Sequence, residues 1–211
     1  MRKGVFITLE GGEGCGKTTQ LEFLKSFVEK QNIEYIFTRE PGGCPVCEEM
    51  RQILLHSKEN ICSEAEFLLF SASRAQLCNE VIIPALEEGK LVIADRFYDS
   101  SIAYQGNARG LGIDNVLKIT NFAIGDLKPD LTIFLKLDPE LSFKRKGGVD
   151  TTDRIECAGL EFHKKVAEGY GKAIELEPDR FLVVDASKTI EEIQEEIKNA
   201  LVSKFPNMFK K

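Results

Sequence analysis

The segment between residues 11 and 19 has the residue types and the spacing of a loop that binds phosphate groups. It reads GGEGCGKTT and fits the pattern G-x-x-x-x-G-K-[ST] from Gly11 to Thr18. Its glycines can turn backbone N–H groups toward an anion, Lys17 adds a positive charge, and the Thr18 hydroxyl can bind Mg²⁺. We therefore predict a nucleoside triphosphate site at nine residues: Gly11, Gly12, Glu13, Gly14, Cys15, Gly16, Lys17, Thr18 and Thr19.

Charged residues elsewhere in the chain predict a metal and a second anion near this loop. Asp95 ends the apolar sequence KLVIAD, and an acid at the end of such a strand is expected to complete the Mg²⁺ site with Thr18. Arg39, Arg74 and Arg96 are expected to converge, and planar guanidinium groups suit a further phosphate. We interpret this set as the site of phosphoryl transfer from ATP to an acceptor that already carries a phosphate. Such an acceptor is largely deprotonated at neutral pH and needs no strong general base.

Elements with alternating patterns position these residues. Five apolar runs read as buried strands: 5–9, 34–38, 90–96, 130–137 and 180–186. Between them lie stretches of helical periodicity: the region after the loop, 48–56, 63–88, 114–125, a helix starting at 139, 157–177 and 189–204. Pro84 is expected to end or kink the third of these helices. The alternation predicts an α/β fold in one domain over residues 1–211, with three layers in which helices cover both faces of a five-stranded parallel sheet.

Two stretches lack the period of a strand or helix. Residues 97–112 read FYDSSIAYQGNARGLG, which is typical of a segment that lines a ligand more than of a core element. Residues 144–155 combine lysines and arginines with two glycines, which predicts either a mobile basic flap over the site or a solvated loop.

Composition narrows the class of protein. The net charge of −6 disfavours a nucleic-acid partner, and no apolar run approaches the length of a membrane span. The charged start of the chain leads directly into the phosphate loop, so we expect a cytoplasmic protein with reduced cysteines. Cys44 and Cys47 form a lone C-x-x-C, a weak signal for a metal or redox site. His56 and His163 lack companion ligands, which favours roles in packing or at the surface.

Three motifs together resemble those of bacterial thymidylate kinases. They are the phosphate loop, the sequence REPGG at 39–43, and DRF at 95–97 followed by SS at 100–101 and AYQG at 103–106. The resemblance extends through DRIE at 153–156 to DAS at 185–187 and so covers nearly the whole chain. It implies the fold of the P-loop kinases, Mg²⁺-dependent transfer of the γ-phosphoryl group of ATP directly to dTMP, and a role in dTTP biosynthesis. It also implies a homodimer.

The same resemblance implies roles for individual residues. Phe70 would stack on thymine, Arg74 and Gln105 would hydrogen-bond the base, and Tyr104 would exclude a 2′-hydroxyl group. Arg39 and Arg96 would hold the acceptor phosphate. The implied dTMP-binding set is Glu10, Arg39, Phe70, Arg74, Arg96, Ser100, Ser101, Tyr104 and Gln105, and the implied catalytic set is Lys17, Asp95, Arg96, Arg145 and Arg154.

The chain departs from the family pattern in places that affect catalysis. Cys44 stands where a threonine is usual, and Cys47 where a glycine is usual. Some relatives carry an arginine inside the phosphate loop, and others carry several arginines in the flap. In this chain the loop position is occupied by Cys15. The flap supplies Lys144, Arg145, Lys146 and Arg154, of which we expect Arg145 or Arg154 to stabilise the transferring phosphoryl group.

Two other functions remain as alternatives. A deoxynucleoside kinase or another nucleoside monophosphate kinase would share these features and prefer a different acceptor. A regulatory nucleotide switch would share the loop and the sheet, but it would carry an N/T-K-x-D motif to read guanine, and the sequence has none.

Overall fold

A computed structural model describes residues 4–146, 155 and 158–209 of the chain. Within these residues five strands form one parallel sheet in the order β2-β3-β1-β4-β5. The strands are β1 Val5–Gly11, β2 Tyr35–Arg39, β3 Leu91–Asp95, β4 Leu131–Lys136 and β5 Phe181–Asp185. The central strand β1 leads into the phosphate loop, as the sequence predicts. The α/β class and the parallel sheet are confirmed.

Alternate side chains of the central strands enter two separate cores. Ile7 and Leu9 pack in the core that contains helices near both ends of the chain, whereas Phe6 packs on the opposite face. Glu10 follows this alternation and points to the same face as Phe6, since side chains two residues apart share a face. This alternation places the buried Glu10 side chain under the carboxyl edge of the sheet, where ligands bind in open α/β folds.

Helices cover both faces of the sheet. In the described part of the chain they are α1 Lys17–Lys30, α2 Pro45–His56, α3 Ser63–Leu77, α4 Ile83–Glu87, α5 Tyr98–Ser101, α6 Ile113–Ile124, α7 Pro139–Lys146, α8 Leu160–Leu176 and α9 Ile190–Lys204. Helix α9 begins with a capping box between Thr189 and Glu192. No helix among the described residues is long and apolar enough to cross a lipid bilayer.

Two π-helical segments account for the main differences from the sequence prediction. Residues Cys78–Ile82 form a π-helical turn between α3 and α4, so Pro84 lies in the first turn of a new short helix. Residues Ile102–Ala108 are also π-helical and largely buried. The expectation that 97–112 is not a core element is therefore wrong for its central part. The i→i+5 hydrogen bonds of a π-helix change the spacing of buried positions, which hides the period of an α-helix.

Helix α8 packs closely along the second π-helical segment. A Cβ atom on Gly169 would lie 2.6 Å from the Ala103 Cα atom and 2.8 Å from its carbonyl oxygen. The Asn107 amide also donates to the Lys165 carbonyl oxygen, at 2.6 Å. This close approach brings the next residue of α8, Tyr170, under the carboxyl edge of the sheet. There the centres of the Tyr170 and Phe134 rings lie 4.7 Å apart.

Two glycines of α8 test this contact. We expect Gly169→Ala to lower the free energy of unfolding by about 1–3 kcal/mol, because the added methyl group meets backbone atoms that cannot move aside easily. Gly171→Ala in the same helix meets nothing within 4 Å. It should raise stability by about 0.5–1 kcal/mol through helix propensity. Urea unfolding of both variants measures the effect, and equal shifts would contradict the proposed close packing.

Candidate functional site

The phosphate loop joins β1 to α1 through a tight turn. Gly11 has a φ of 153°, and a Cβ atom there would lie 2.6 Å from the Cys15 sulfur and 2.9 Å from the Leu135 carbonyl oxygen. The Lys17 ammonium group donates to the carbonyl oxygens of Gly11 at 3.3 Å and of Gly12 at 3.2 Å. The loop is thus folded around its own lysine, with the amino end of α1 directly after it, where backbone N–H groups and the helix dipole favour an anion.

The Cys15 side chain points away from the loop opening. It is 3% exposed and packs in the core with Leu24 and Leu135. The Ser142 hydroxyl of α7 donates to the carbonyl oxygen of the neighbouring Glu13. The loop therefore offers an anion only backbone groups at position 15, and α7, which carries the first flap residues, contacts the loop directly.

Asp95 and Thr18 lie in one cavity with groups that fit a hard cation. Asp95 Oδ1 is buried and has no hydrogen-bond partner among the described residues, and the Thr18 side chain is exposed to the cavity. Mg²⁺ in nucleotide sites binds one or two protein oxygens and completes its shell with waters and phosphates. The part of the chain that the structure describes has no group of three histidine, cysteine, aspartate or glutamate side chains that could hold a metal.

Arg96 is held by several acceptors immediately after β3. Its backbone has a φ of 69°, a left-handed conformation that is uncommon for arginine. One guanidinium nitrogen donates to the Gly11 carbonyl oxygen at 2.9 Å, and the other donates to Glu13 at 2.5 Å. The guanidinium also lies 5.3 Å from the centre of the Tyr104 ring. Although burial lowers the pKa of Arg96, the nearby Tyr104 and Glu13 groups raise it well above its usual range, so the charge is permanent.

A buried carboxylate connects Arg96 with three other elements. Glu10 accepts from the Phe97 backbone N–H at 2.7 Å, from the Ser100 hydroxyl at 2.6 Å and from the Tyr170 hydroxyl at 2.9 Å. The Arg96 guanidinium donates to the same two hydroxyl groups, at 3.2 Å and 3.0 Å. Burial, and then the charge of nearby Asp99, raise the pKa of Glu10 from 4.5 to about 7. Glu10 therefore fixes the positions of the two hydroxyl groups to which Arg96 donates, and it does not line the cavity itself.

Arg74 forms a second buried ion pair. Its side chain is 1% exposed and reaches Glu40 at 2.7–2.8 Å through two nitrogens, while one of these also donates to the Ser101 hydroxyl at 3.0 Å. Burial raises the pKa of Glu40, and the Arg74 charge opposes this shift. The remaining guanidinium nitrogen, Nη1, is buried and has no partner in the described chain. Arg74 also lines the cavity, so its guanidinium group borders the space in which a ligand would lie.

A cavity of about 650 Å³ brings most of the predicted site together. The predicted residues that line it are Glu13, Gly14, Gly16, Lys17, Thr18, Thr19, Arg39, Phe70, Arg74, Asp95, Arg96, Ser100, Ser101, Tyr104, Gln105 and Arg145. This volume lies in the range of small-molecule sites. The arginines after two different strands therefore converge, and they do so in the space that contains the loop lysine.

Other predicted residues lie outside the wall of this cavity. Glu10, Gly11 and Cys15 are buried and Gly12 is half-buried, and none of the four lines this cavity. Arg154 lies outside the described residues. Arg39 lines the cavity but is paired with Glu48 at 3.1 Å, with both side chains substantially exposed.

Sequence reasoning did not single out four residues of the wall: Glu40, Pro41, Arg51 and Leu55. Phe97 and Ile155 also line it, and they belong to the predicted ligand-lining segment 97–112 and the predicted flap 144–155. Arg51 is the most notable, because it brings another guanidinium group to the cavity and donates to the Pro41 carbonyl oxygen at 2.6 Å. An arginine on the apolar side of a predicted helix was the signal available for it. Glu40 is adjacent in sequence to the predicted Arg39, but nothing in the sequence indicates its pairing with Arg74.

The C-x-x-C sequence lies at the start of α2. The Cys44 and Cys47 sulfurs are 2.6 Å apart, and Cys47 donates to the Ser73 carbonyl oxygen at 3.2 Å. Burial, together with the hydrogen bond to Cys44, raises the pKa of the Cys47 thiol to about 12. A thiol of this kind is a poor nucleophile at neutral pH, which favours a packing role for the pair. Of the histidines, His163 is 6% exposed and meets two phenylalanine rings.

Comparison with known proteins identifies relatives over nearly the whole chain. A family model described as Thymidylate kinase matches residues 9–197. The chain is similar to Thymidylate kinase of Clostridium novyi (strain NT), with 48% identity over 205 residues that cover 95% of this chain and 100% of the relative. Thymidylate kinase of Hahella chejuensis is 45% identical, with coverages of 97% and 99%. Thymidylate kinase of Kosmotoga olearia is 44% identical, with coverages of 92% and 93%.

The pKa of Glu10 predicts a pH dependence of stability. Its folded-state pKa of about 7 exceeds the ordinary value of 4.5, so protonation favours the folded state. This stabilisation is complete below pH 4.5 and is lost as the pH rises through 7. From pH 5 to pH 8, the free energy of unfolding should fall by up to about 3 kcal/mol more in the natural protein than in Glu10→Gln. Urea unfolding without nucleotide measures the free energy of unfolding of both proteins across this pH range. Parallel pH profiles would contradict the raised pKa of Glu10.

Proposed function

The chain belongs to the thymidylate kinase family, and from this membership we propose that it transfers the γ-phosphoryl group of ATP to the phosphate of dTMP. The observation that carries the proposal is a single cavity that contains the phosphate loop and a separate group of arginines. A protein that binds one nucleoside triphosphate needs the loop but not the second group. The product, dTDP, would enter dTTP biosynthesis.

The phosphate loop would hold the donor. Its backbone N–H groups and the amino end of α1 favour the ATP phosphates, and Lys17 would exchange its two loop carbonyl partners for phosphate oxygens. Thr18 and Asp95 would hold Mg²⁺ together with the ATP phosphates. The bound ion would supply charge neutralisation on the phosphate oxygens.

The opposite side of the cavity would hold the acceptor. Arg96 and Arg39 supply the positive charge that a monophosphate needs, and the constraint on Arg96 supports a precise position for that phosphate. Phe70 is half-buried on the wall, as a stacking surface for a base would require. The unpartnered nitrogen of Arg74 and the Gln105 amide would read the edge of the base. Tyr104 would fill the space beside the sugar and disfavour a 2′-hydroxyl group.

Transfer would proceed in line and without a covalent enzyme intermediate. A new bond forms between an oxygen of the acceptor phosphate and the γ-phosphorus, and the bond from that phosphorus to the bridging oxygen of ADP breaks. The chain contributes alignment and positive charge, and Arg145 is our choice for the cation closest to the transferring group. Arg145 lines the cavity and donates to the Ala186 carbonyl oxygen at 2.8 Å, which supports a position on the donor side.

We also propose that the protein acts as a homodimer in the cytoplasm, as a single domain with a flap around residues 144–155. Phe122 on α6 is 93% exposed and Leu68 on the neighbouring α3 is 53% exposed, which supports an interface on these helices. Five cysteines of the described chain are free thiols, as a reducing compartment would favour.

A panel of acceptors tests the proposed reaction. With ATP and Mg²⁺, we expect kcat/KM to be highest for dTMP among thymidine, dCMP, dGMP, dAMP and dTMP in a coupled assay for ADP. Lys17→Ala should lower kcat for dTMP by at least about 10²-fold, because the loop then lacks its charge on the donor phosphates. A higher kcat/KM for thymidine than for dTMP would instead favour a deoxynucleoside kinase. A higher kcat/KM for another monophosphate would favour a different nucleoside monophosphate kinase.

A second variant tests the cation on the donor side. Arg145→Ala should lower kcat by about 10²-fold or more and leave the KM for dTMP within about threefold, because the lost charge acts on the transferring group. Lys144→Ala is the matched control, since the neighbouring Lys144 is exposed and does not line the cavity. An unchanged kcat in Arg145→Ala would show that Arg145 does not stabilise the transferring phosphoryl group.

A further inference from the structure

A buried carboxylate lies directly behind the Gln105 amide. Glu66 is 1% exposed and its Oε1 atom accepts from the Gln105 Nε2 atom at 2.9 Å. Arg109 donates to both oxygens of the same carboxylate, at 3.3 Å and 3.2 Å. Gln105 lines the cavity, whereas Glu66 and Arg109 do not. Glu66 therefore contacts a cavity residue without reaching the cavity itself.

The chemistry of this contact gives the amide a direction. An ionised carboxylate only accepts hydrogen bonds, whereas an amide has a donor side and an acceptor side. The NH₂ group of Gln105 must therefore face Glu66, and its carbonyl oxygen is left for the cavity. The Arg109 guanidinium balances the charge of Glu66 and itself lies 4.6 Å from the centre of the Phe162 ring. The reverse orientation of the amide would place two acceptors against each other.

Together with Arg74, this amide direction creates a pattern that only some bases match. The unpartnered Nη1 atom of Arg74 is a donor, and the Gln105 carbonyl oxygen is an acceptor. Thymine presents the complementary edge, with the O4 acceptor next to the N3–H donor. Cytosine presents the opposite edge, with the N4 amino donor next to the N3 acceptor, so both positions are mismatched. A reversed Gln105 amide would remove one of these two mismatches.

We propose that Glu66 is a positioning residue that fixes the orientation of the Gln105 amide and thereby makes the site select thymine over cytosine. Glu66 acts through Gln105 and touches no substrate. The inference rests on the proposed function, because it assigns a specificity role within the dTMP site.

Glu66→Gln tests the proposal. The new amide can accept from Gln105 or donate to it, so both orientations of Gln105 become available. We expect the ratio of kcat/KM for dTMP to that for dCMP to fall by at least about tenfold. The inhibition constant of dCMP against dTMP gives a second measure that does not need turnover of dCMP. If Glu66 only stabilises the fold, both substrates will lose activity by the same factor and the ratio will stay at the wild-type value, which overturns the proposal.

Another pair in the chain supplies a matched control. The Gln76 amide donates to Glu80 at 2.9 Å in an exposed contact outside the cavity. Glu80→Gln makes the same substitution in the same kind of pair, and it should keep the wild-type ratio. A wild-type protein that fails to prefer dTMP overturns the proposed function. A selective wild-type protein with an equally selective Glu66→Gln variant overturns only the role of Glu66.

A second variant covers the case in which Glu66→Gln does not fold. Glu66→Gln leaves Arg109 without its buried partner, and the double variant Glu66→Gln/Arg109→Gln removes both charges. The double variant should also lose at least about tenfold in the dTMP to dCMP ratio, and a wild-type ratio would overturn the proposal. Circular dichroism identifies folded variants. Failure of both variants to fold would assign Glu66 to stability and would likewise overturn the proposal.

Discussion

The site depends on one buried carboxylate at the end of the central strand. Glu10 accepts hydrogen bonds from the start of the segment after β3, from the short helix α5 and from α8. A buried charged group without partners costs several kcal/mol, so these elements must meet where Glu10 lies. Their meeting places Arg96 between the phosphate loop and the hydroxyl groups of Ser100 and Tyr170. The position of the predicted acceptor arginine is thus a consequence of satisfying Glu10.

The same constraint recurs around the cavity. Arg74 is paired with Glu40 and Glu66 with Arg109, and each pair joins segments distant in sequence. A further pair, Arg180 with Asp99 at 2.6 Å, ties the start of β5 to α5. Removing one member of such a pair leaves the other charge buried and uncompensated. The pairs therefore connect segments that form or support the walls of the cavity, and they leave Arg74 Nη1 without a partner among the described residues.

Much of the fold and the types of groups in the site were predictable from local sequence. The phosphate loop, the strand before it and the helix after it follow from residue type and spacing within a few residues. The parallel sheet follows from the alternation of strands and helices. Several residues of 97–112 line the cavity, as predicted, but the expectation that this segment is not a core element fails for Ile102–Ala108. The π-helical spacing of that part has no period that sequence reasoning recognises. Arg51 and Glu40 were missed as members of the cavity wall, because their roles depend on neighbours that are close only after folding.

The sequence by itself determined that the chain binds a nucleoside triphosphate and carries arginines for a second anion, since these properties follow from the residues present. Only the tertiary structure decided which donors and acceptors remain free. It pairs Glu40 with two nitrogens of Arg74 and leaves the third without a partner in the part of the chain that the structure describes. It places Glu66 where it accepts from the Gln105 amide and so orients that amide. It also buries the Cys15 side chain away from the loop opening. Hydrogen-bond partners depend on which groups lie close together in the folded chain. The order of residues in the sequence does not give these distances.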